Sequence, residues 1–108
     1  MFNIFGGGVP GISAAELKGL LDGKGAKPVL VDVREKTEWD FGHINGAIHI
    51  PLGQMAGRMK ELDSKAYTVV YCRSGSRSSA GASMLKKAGF TDVRNLSGGM
   101  IAWETTAK

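Results

Sequence analysis

The chain has 108 residues, 43% apolar and 22% charged, enough for one globular domain with an ordinary core and too few for two. Its single cysteine excludes an intramolecular disulfide and a cysteine-rich zinc site, and no apolar run approaches the roughly 18 residues that cross a bilayer. A net charge of +4 is spread along the chain without an aromatic-interleaved basic block, which reads as a solvated basic surface and not as a nucleic-acid interface.

Residues 1–11 carry four glycines and a proline and are expected to form a flexible N-terminal arm, with the folded domain over 12–108. Met1-Phe2-Asn3-Ile4-Phe5 lacks the basic start and long apolar stretch of a signal peptide, so a reduced, cytoplasmic setting is expected. Ser13-Ala14-Ala15-Glu16 reads as a capping box that opens a helix, with Leu17, Leu20 and Leu21 on one face. Val29 to Val33 is a β-branched run suited to a strand covered on both faces. Ala47 to Ile50 is a second strand, closed by Pro51. Leu52, Met55, Met59 and Leu62 step by three, four and three, which predicts an amphipathic helix over 52–62 with the methionines as core filler. Thr68 to Tyr71 is a third strand. A helix follows from Ser78 to Lys87, with Ala80, Met84, Leu85 and Ala88 inward and Gly89 as its stop. Asp92 to Leu96 is a last strand before a short helix over 99–105. Alternating strands and helices imply an α/β fold with a parallel sheet and helices on both faces.

Cys72 stands between the third strand and the next helix, inside Cys72-Arg73-Ser74-Gly75-Ser76-Arg77. A thiol there meets free N–H groups and the positive end of a helix dipole, which favour the thiolate, the nucleophilic form. The plainer reading is a buried structural thiol. It fits poorly, because so many consecutive Ser, Gly and Arg residues cannot be a packed apolar interior. Gly75 supplies the backbone freedom for the loop to curl around the sulfur. His43 and His49, the only histidines, match no common metal spacing and read as packing or turn residues. Trp39 and Trp103 read as core and hydrophobic rim.

Three motifs then resemble one family. Cys72 to Arg77 is similar to the six-residue active-site loop of single-domain rhodanese-like sulfurtransferases. Asp32-Val33-Arg34 through Gly42-His43-Ile44, Gly46-Ala47 and Pro51 resembles a second signature of that family, and Leu96-Ser97-Gly98-Gly99 with Trp103 a third. The resemblance implies a single rhodanese-like domain with a parallel, mostly five-stranded sheet. It also implies a metal-free and cofactor-free reaction. Cys72 takes a sulfane sulfur as a persulfide from thiosulfate or a persulfide donor and passes it to cyanide, a thiol or a sulfur-relay protein. Catalysis falls to Cys72 and substrate binding to Arg73, Ser74, Gly75, Ser76 and Arg77. Arg73 is the first choice for the anionic donor. Arg77 has two readings, substrate contact or closure of the loop against Asp32 or Glu35, while Asp32 and Arg34 brace the loop. Two other functions stand beside this one. A sulfur-carrier or partner-binding module would lack thiosulfate turnover. A Cys-dependent phosphatase or arsenate reductase would need a loop one residue longer, Cys-x5-Arg.

Overall fold

The structure is a computed structural model in which residues 8–106 are described. Its strands form where β-branched residues run together: β2 (Val29–Asp32) and β4 (Thr68–Tyr71) lie side by side at the centre of the sheet. Flanking them are β3 (Ile48–His49) beyond β2, and β5 (Val93–Leu96) then β1 (Gly11–Ile12) beyond β4. The sheet has five strands in the order β1-β5-β4-β2-β3, every pairing parallel. This is the α/β architecture expected.

Side chains alternate across the central strands. Val31, Val33, Val70 and Cys72 point into one core, beneath α3 (Met55–Arg58) and α4 (Ser76–Lys87). Leu30, Val69 and Tyr71 point into the other, beneath α1 (Ala14–Asp22) and α5 (Gly99–Thr106). Burying each such Leu or Val side chain contributes about 1.5–3 kcal/mol. The short α2 (Lys36–Phe41) links β2 to β3 and buries none of its residues.

Local signals explain most boundaries. The Ser13–Glu16 capping box forms with both hydrogen bonds, and Gly89, at φ +100°, ends α4 as expected. Four expectations need correction. Leu20 is exposed, because α1 turns Ala14 and Leu17 toward the sheet, with Leu21 at the edge of that face. Residues 52–62 are not one helix: α3 is a single turn between two 3₁₀ segments, Leu52–Gln54 and Met59–Glu61. Gly53 and Gly57 lower helix propensity there, yet Met55 and Leu62 are still buried. On α4, Leu85 is buried and Met84 packs against the core as expected, but Ala80 and Ala88 are exposed and Ser78, Gly81 and Ala82 are buried in their place. The helix lies so close to the sheet that a Cβ on Gly81 would sit 3.4–3.6 Å from Val33, Leu52 and Val70. Finally, Gly11, placed by the sequence reading in an arm, pairs with Asn95 at a sheet edge, and the Asn95 N–H donates to the Pro10 carbonyl. Residues 1–7 of that arm lie outside the described residues.

Candidate active site

In a parallel α/β sheet, ligands are met beyond the carboxyl ends of the strands. Two adjacent strands, β2 and β4, end side by side here, and each continues into a loop with its own chemistry.

Cys72 follows β4 directly and is itself buried, with 1% of its surface exposed, while Arg73, Ser74 and Ser76 are exposed above it. The Gly75 N–H donates to Cys72 Sγ at 3.1 Å, and Ser78 Oγ lies 3.3 Å from the same sulfur. Gly75, at φ +116°, sits in the left-handed region and turns the chain so that α4 starts above the thiol. Burial alone pushes the Cys72 thiol up. Hydrogen bonds from the Ser78 hydroxyl and from the N–H groups of Ser78, Gly75 and Ser74 outweigh it, so the pKa falls below its ordinary value. A buried thiol is therefore compatible with an activated one.

Two further elements hold the loop. Across the sheet, the Asn95 amide donates from Nδ2 to the Gly75 carbonyl at 3.1 Å and receives the Ser78 hydroxyl at 2.6 Å. From the other side, Met100 N–H donates to the Cys72 carbonyl at 2.8 Å and Ile101 N–H to the Arg73 carbonyl at 3.1 Å. Gly99 makes that approach possible. A Cβ there would lie 2.5 Å from the Cys72 oxygen.

The arginines divide. Arg77 grips Glu38 with two hydrogen bonds, 2.7 and 3.0 Å, and not Asp32 or Glu35 as expected. Its guanidinium beside Glu38 lowers that carboxyl to about 2. Asp32 is already taken by Arg34, whose guanidinium binds both carboxylate oxygens and the Gly42 carbonyl. Asp32 and Arg34 thus brace their own connection, and the Arg34 guanidinium also lies over the ring of Tyr71, 5.7 Å from its centroid, next to Cys72 in the chain. Arg73 reaches a shallow cavity of about 190 Å³ beside the loop, shared with Arg34, Glu38, Phe41, Ile101 and Glu104. The structure therefore gathers Cys72, Ser74 and Gly75 around the sulfur, sends Arg73 to this neighbouring cavity, and turns Arg77 toward α2.

The histidines pack as the sequence suggested. Both rings stack on Trp39, at 3.4 Å for His43 and 4.7 Å for His49 between centroids. Trp39 is half-buried, at the rim and not in the core. Sequence reasoning missed Ser78, Asn95, Glu38 and Gly99 as parts of this site. Asn95 carried a signal: a neutral amide in a short strand that opens on Val93 and closes on Leu96, near the carboxyl end where ligands are met.

A parallel α/β domain with a lone cysteine beneath amides at a strand-to-helix turn places the chain among α/β folds built around an activated thiol. The chain belongs to the rhodanese-like domain family, which it matches over residues 13–106. It is 40% identical to the putative sulfurtransferase YtwF of Bacillus subtilis over 97 residues, covering 90% of this chain and 92% of that protein. It is 42% identical over 94 residues to the probable adenylyltransferase/sulfurtransferase MoeZ of Mycobacterium tuberculosis. That match covers 85% of this chain and 24% of MoeZ, and the chain likewise spans 61% and 51% of two other curated relatives. Among solved structures, a rhodanese-related protein from Thermoplasma volcanium superposes with a TM-score of 0.80 at 29% identity, covering 89% of this chain and 91% of that one. No helix among the described residues is long and apolar enough to cross a membrane.

Proposed function

We propose that this protein is a sulfurtransferase that carries a sulfane sulfur on Cys72. The observation that supports the reading is the convergence of the Gly75 N–H and the Ser78 hydroxyl on Cys72 Sγ, 3.1 and 3.3 Å away. Such donors stabilise an anionic sulfur as an oxyanion hole stabilises developing charge. The thiolate attacks the outer sulfur of thiosulfate. A Cys72–S bond forms, the sulfur–sulfur bond of the donor breaks, and sulfite leaves with the electron pair. Cyanide or a thiolate, free or on a relay protein, then attacks the terminal sulfur and returns Cys72 as thiolate. Splitting the transfer in two lowers each barrier, and neither half requires a cofactor or metal. Arg73, exposed at the cavity beside the loop, attracts the anionic donor, and the loop residues Ser74, Gly75 and Ser76 surround the bound sulfur. Arg77 serves closure of the site through Glu38. A reduced, cytoplasmic setting suits a chemistry that needs a free thiol.

Mass spectrometry tests the reading. The protein should gain the mass of one sulfur after thiosulfate and lose it on addition of cyanide, and the Cys72→Ser variant should do neither. Steady-state thiocyanate release separates an enzyme from a carrier that loads once. A protein that hydrolyses an aryl phosphate and never gains sulfur would overturn the proposal. The pairing of Arg77 with Glu38 argues against that outcome, because the guanidinium ending the loop is not free to clasp a phosphate.

A further inference from the structure

Ser78 and Asn95 make an arrangement that the sulfur chemistry above does not by itself require. The Ser78 hydroxyl is buried and has one proton, yet two acceptors lie within reach: Asn95 Oδ1 at 2.6 Å and Cys72 Sγ at 3.3 Å. The orientation of the Asn95 amide is fixed by its other end. The Gly75 carbonyl can only accept, so the group 3.1 Å from it is the amide NH₂, and Oδ1 must face Ser78. An amide oxygen only accepts. The short 2.6 Å contact therefore holds the Ser78 proton, and the hydrogen in the Ser78–Cys72 contact has to come from the thiol.

We infer that Asn95 is a positioning residue that makes Ser78 a two-state partner of Cys72. While the sulfur is neutral, its S–H donates to Ser78 Oγ and Ser78 donates to Asn95. When the thiol proton leaves to water, the Ser78 O–H turns from Asn95 to the charged sulfur, and it stays there while the sulfur carries an anionic persulfide. The Asn95 Nδ2–Gly75 bond is made in both states, so the loop amides keep their places while one hydroxyl changes partner. A donor that exists only when charge is present is selective for the charged state. The persulfide clause rests on the sulfurtransferase reading; the thiol clause does not.

Because the chain has one cysteine, its S–H stretch in the infrared spectrum is a single band. In the neutral protein that band should be shifted to low frequency by hydrogen bonding, and Ser78→Ala should return it to the position of a free thiol. An unshifted band in the native protein overturns the inference without any variant having to fold. The second measurement is the alkylation midpoint of Cys72 in a double-mutant cycle. Ser78→Ala should raise the midpoint by about one pH unit, the worth of one hydrogen bond to a charged group. Asn95→Leu, which frees the hydroxyl for the sulfur, should lower it in the native background and leave it unmoved in the Ser78→Ala background. Equal shifts in both backgrounds would mean that Asn95 acts only by holding Gly75, and the inference falls. Coupled shifts in a protein that thiosulfate never loads would support the switch while removing the sulfurtransferase reading. Loading by thiosulfate with additive shifts would do the reverse.

Discussion

The exits of β2 and β4 lie next to each other at the same end of the sheet, and they treat charge in opposite ways. After β2, the buried Asp32 carboxylate is met in full by Arg34, both by its backbone N–H and by its guanidinium, so the connection is electrically closed. After β4, backbone N–H groups and a hydroxyl converge on a sulfur with no cation bonded to it among the described residues. The difference shows how one fold position can serve rigidity or chemistry. A buried ion pair neutralises itself, whereas a ring of fixed dipoles around an ionisable atom is completed only by a charge that comes and goes.

The largest effect should come from opening the closed exit. Arg34→Met leaves Asp32 buried without its partner and should cost about 3–5 kcal/mol in urea unfolding, with little change in the alkylation midpoint of Cys72. A loss under about 1 kcal/mol would show that the pair does not carry that connection. Distorting the other exit should act chiefly on chemistry. In Gly99→Ala, the new Cβ meets the Cys72 and Arg73 carbonyls at 2.5–2.6 Å, so the loop must shift. Sulfur transfer should drop about a hundredfold, as misplacement by an ångström typically does. Unchanged turnover would mean that the α5 contact does not position the loop. The smallest effect concerns the link between the two exits, Glu38 with Arg77. Its carboxyl pKa is lowered from 4.5 to about 2, so the pair stabilises the fold above the unfolded value and that stability is lost as pH falls from about 4.5 toward 2. Both partners are partly exposed, and screening holds the contribution to about 1 kcal/mol. Urea midpoints measured down to about pH 3 should show that slope in the native protein and a shallower one in Glu38→Gln.

The sequence announced what local patterns encode. Val29–Val33 and Thr68–Tyr71 could hardly be anything but covered strands, the Ser13 box marks a helix start, and Cys72 stands out as the only thiol. It was silent where packing between distant segments decides. Glu38 and Arg77 are separated by 39 positions, and nothing in either neighbourhood says they meet. The edge strand at Gly11 has no periodicity of its own; its pairing depends on β5 presenting Asn95 and Leu96. The face of α4 is legible in Leu85 and Met84, which do turn inward, but not in the alanines. Gly81 and Ala82 take the close contact with the sheet, and a helix so rich in small residues has no hydrophobic period that separates them from Ala80 and Ala88. Ser78 looked like a helix start and proved to be a partner of the sulfur.

The carbonyls of Cys72 and Arg73 receive their hydrogen bonds from Met100 and Ile101, residues translated well after them. The loop that tunes the thiol is thus held from a helix distant in sequence, which makes the acidity of the sulfur a readout of how firmly α5 is docked.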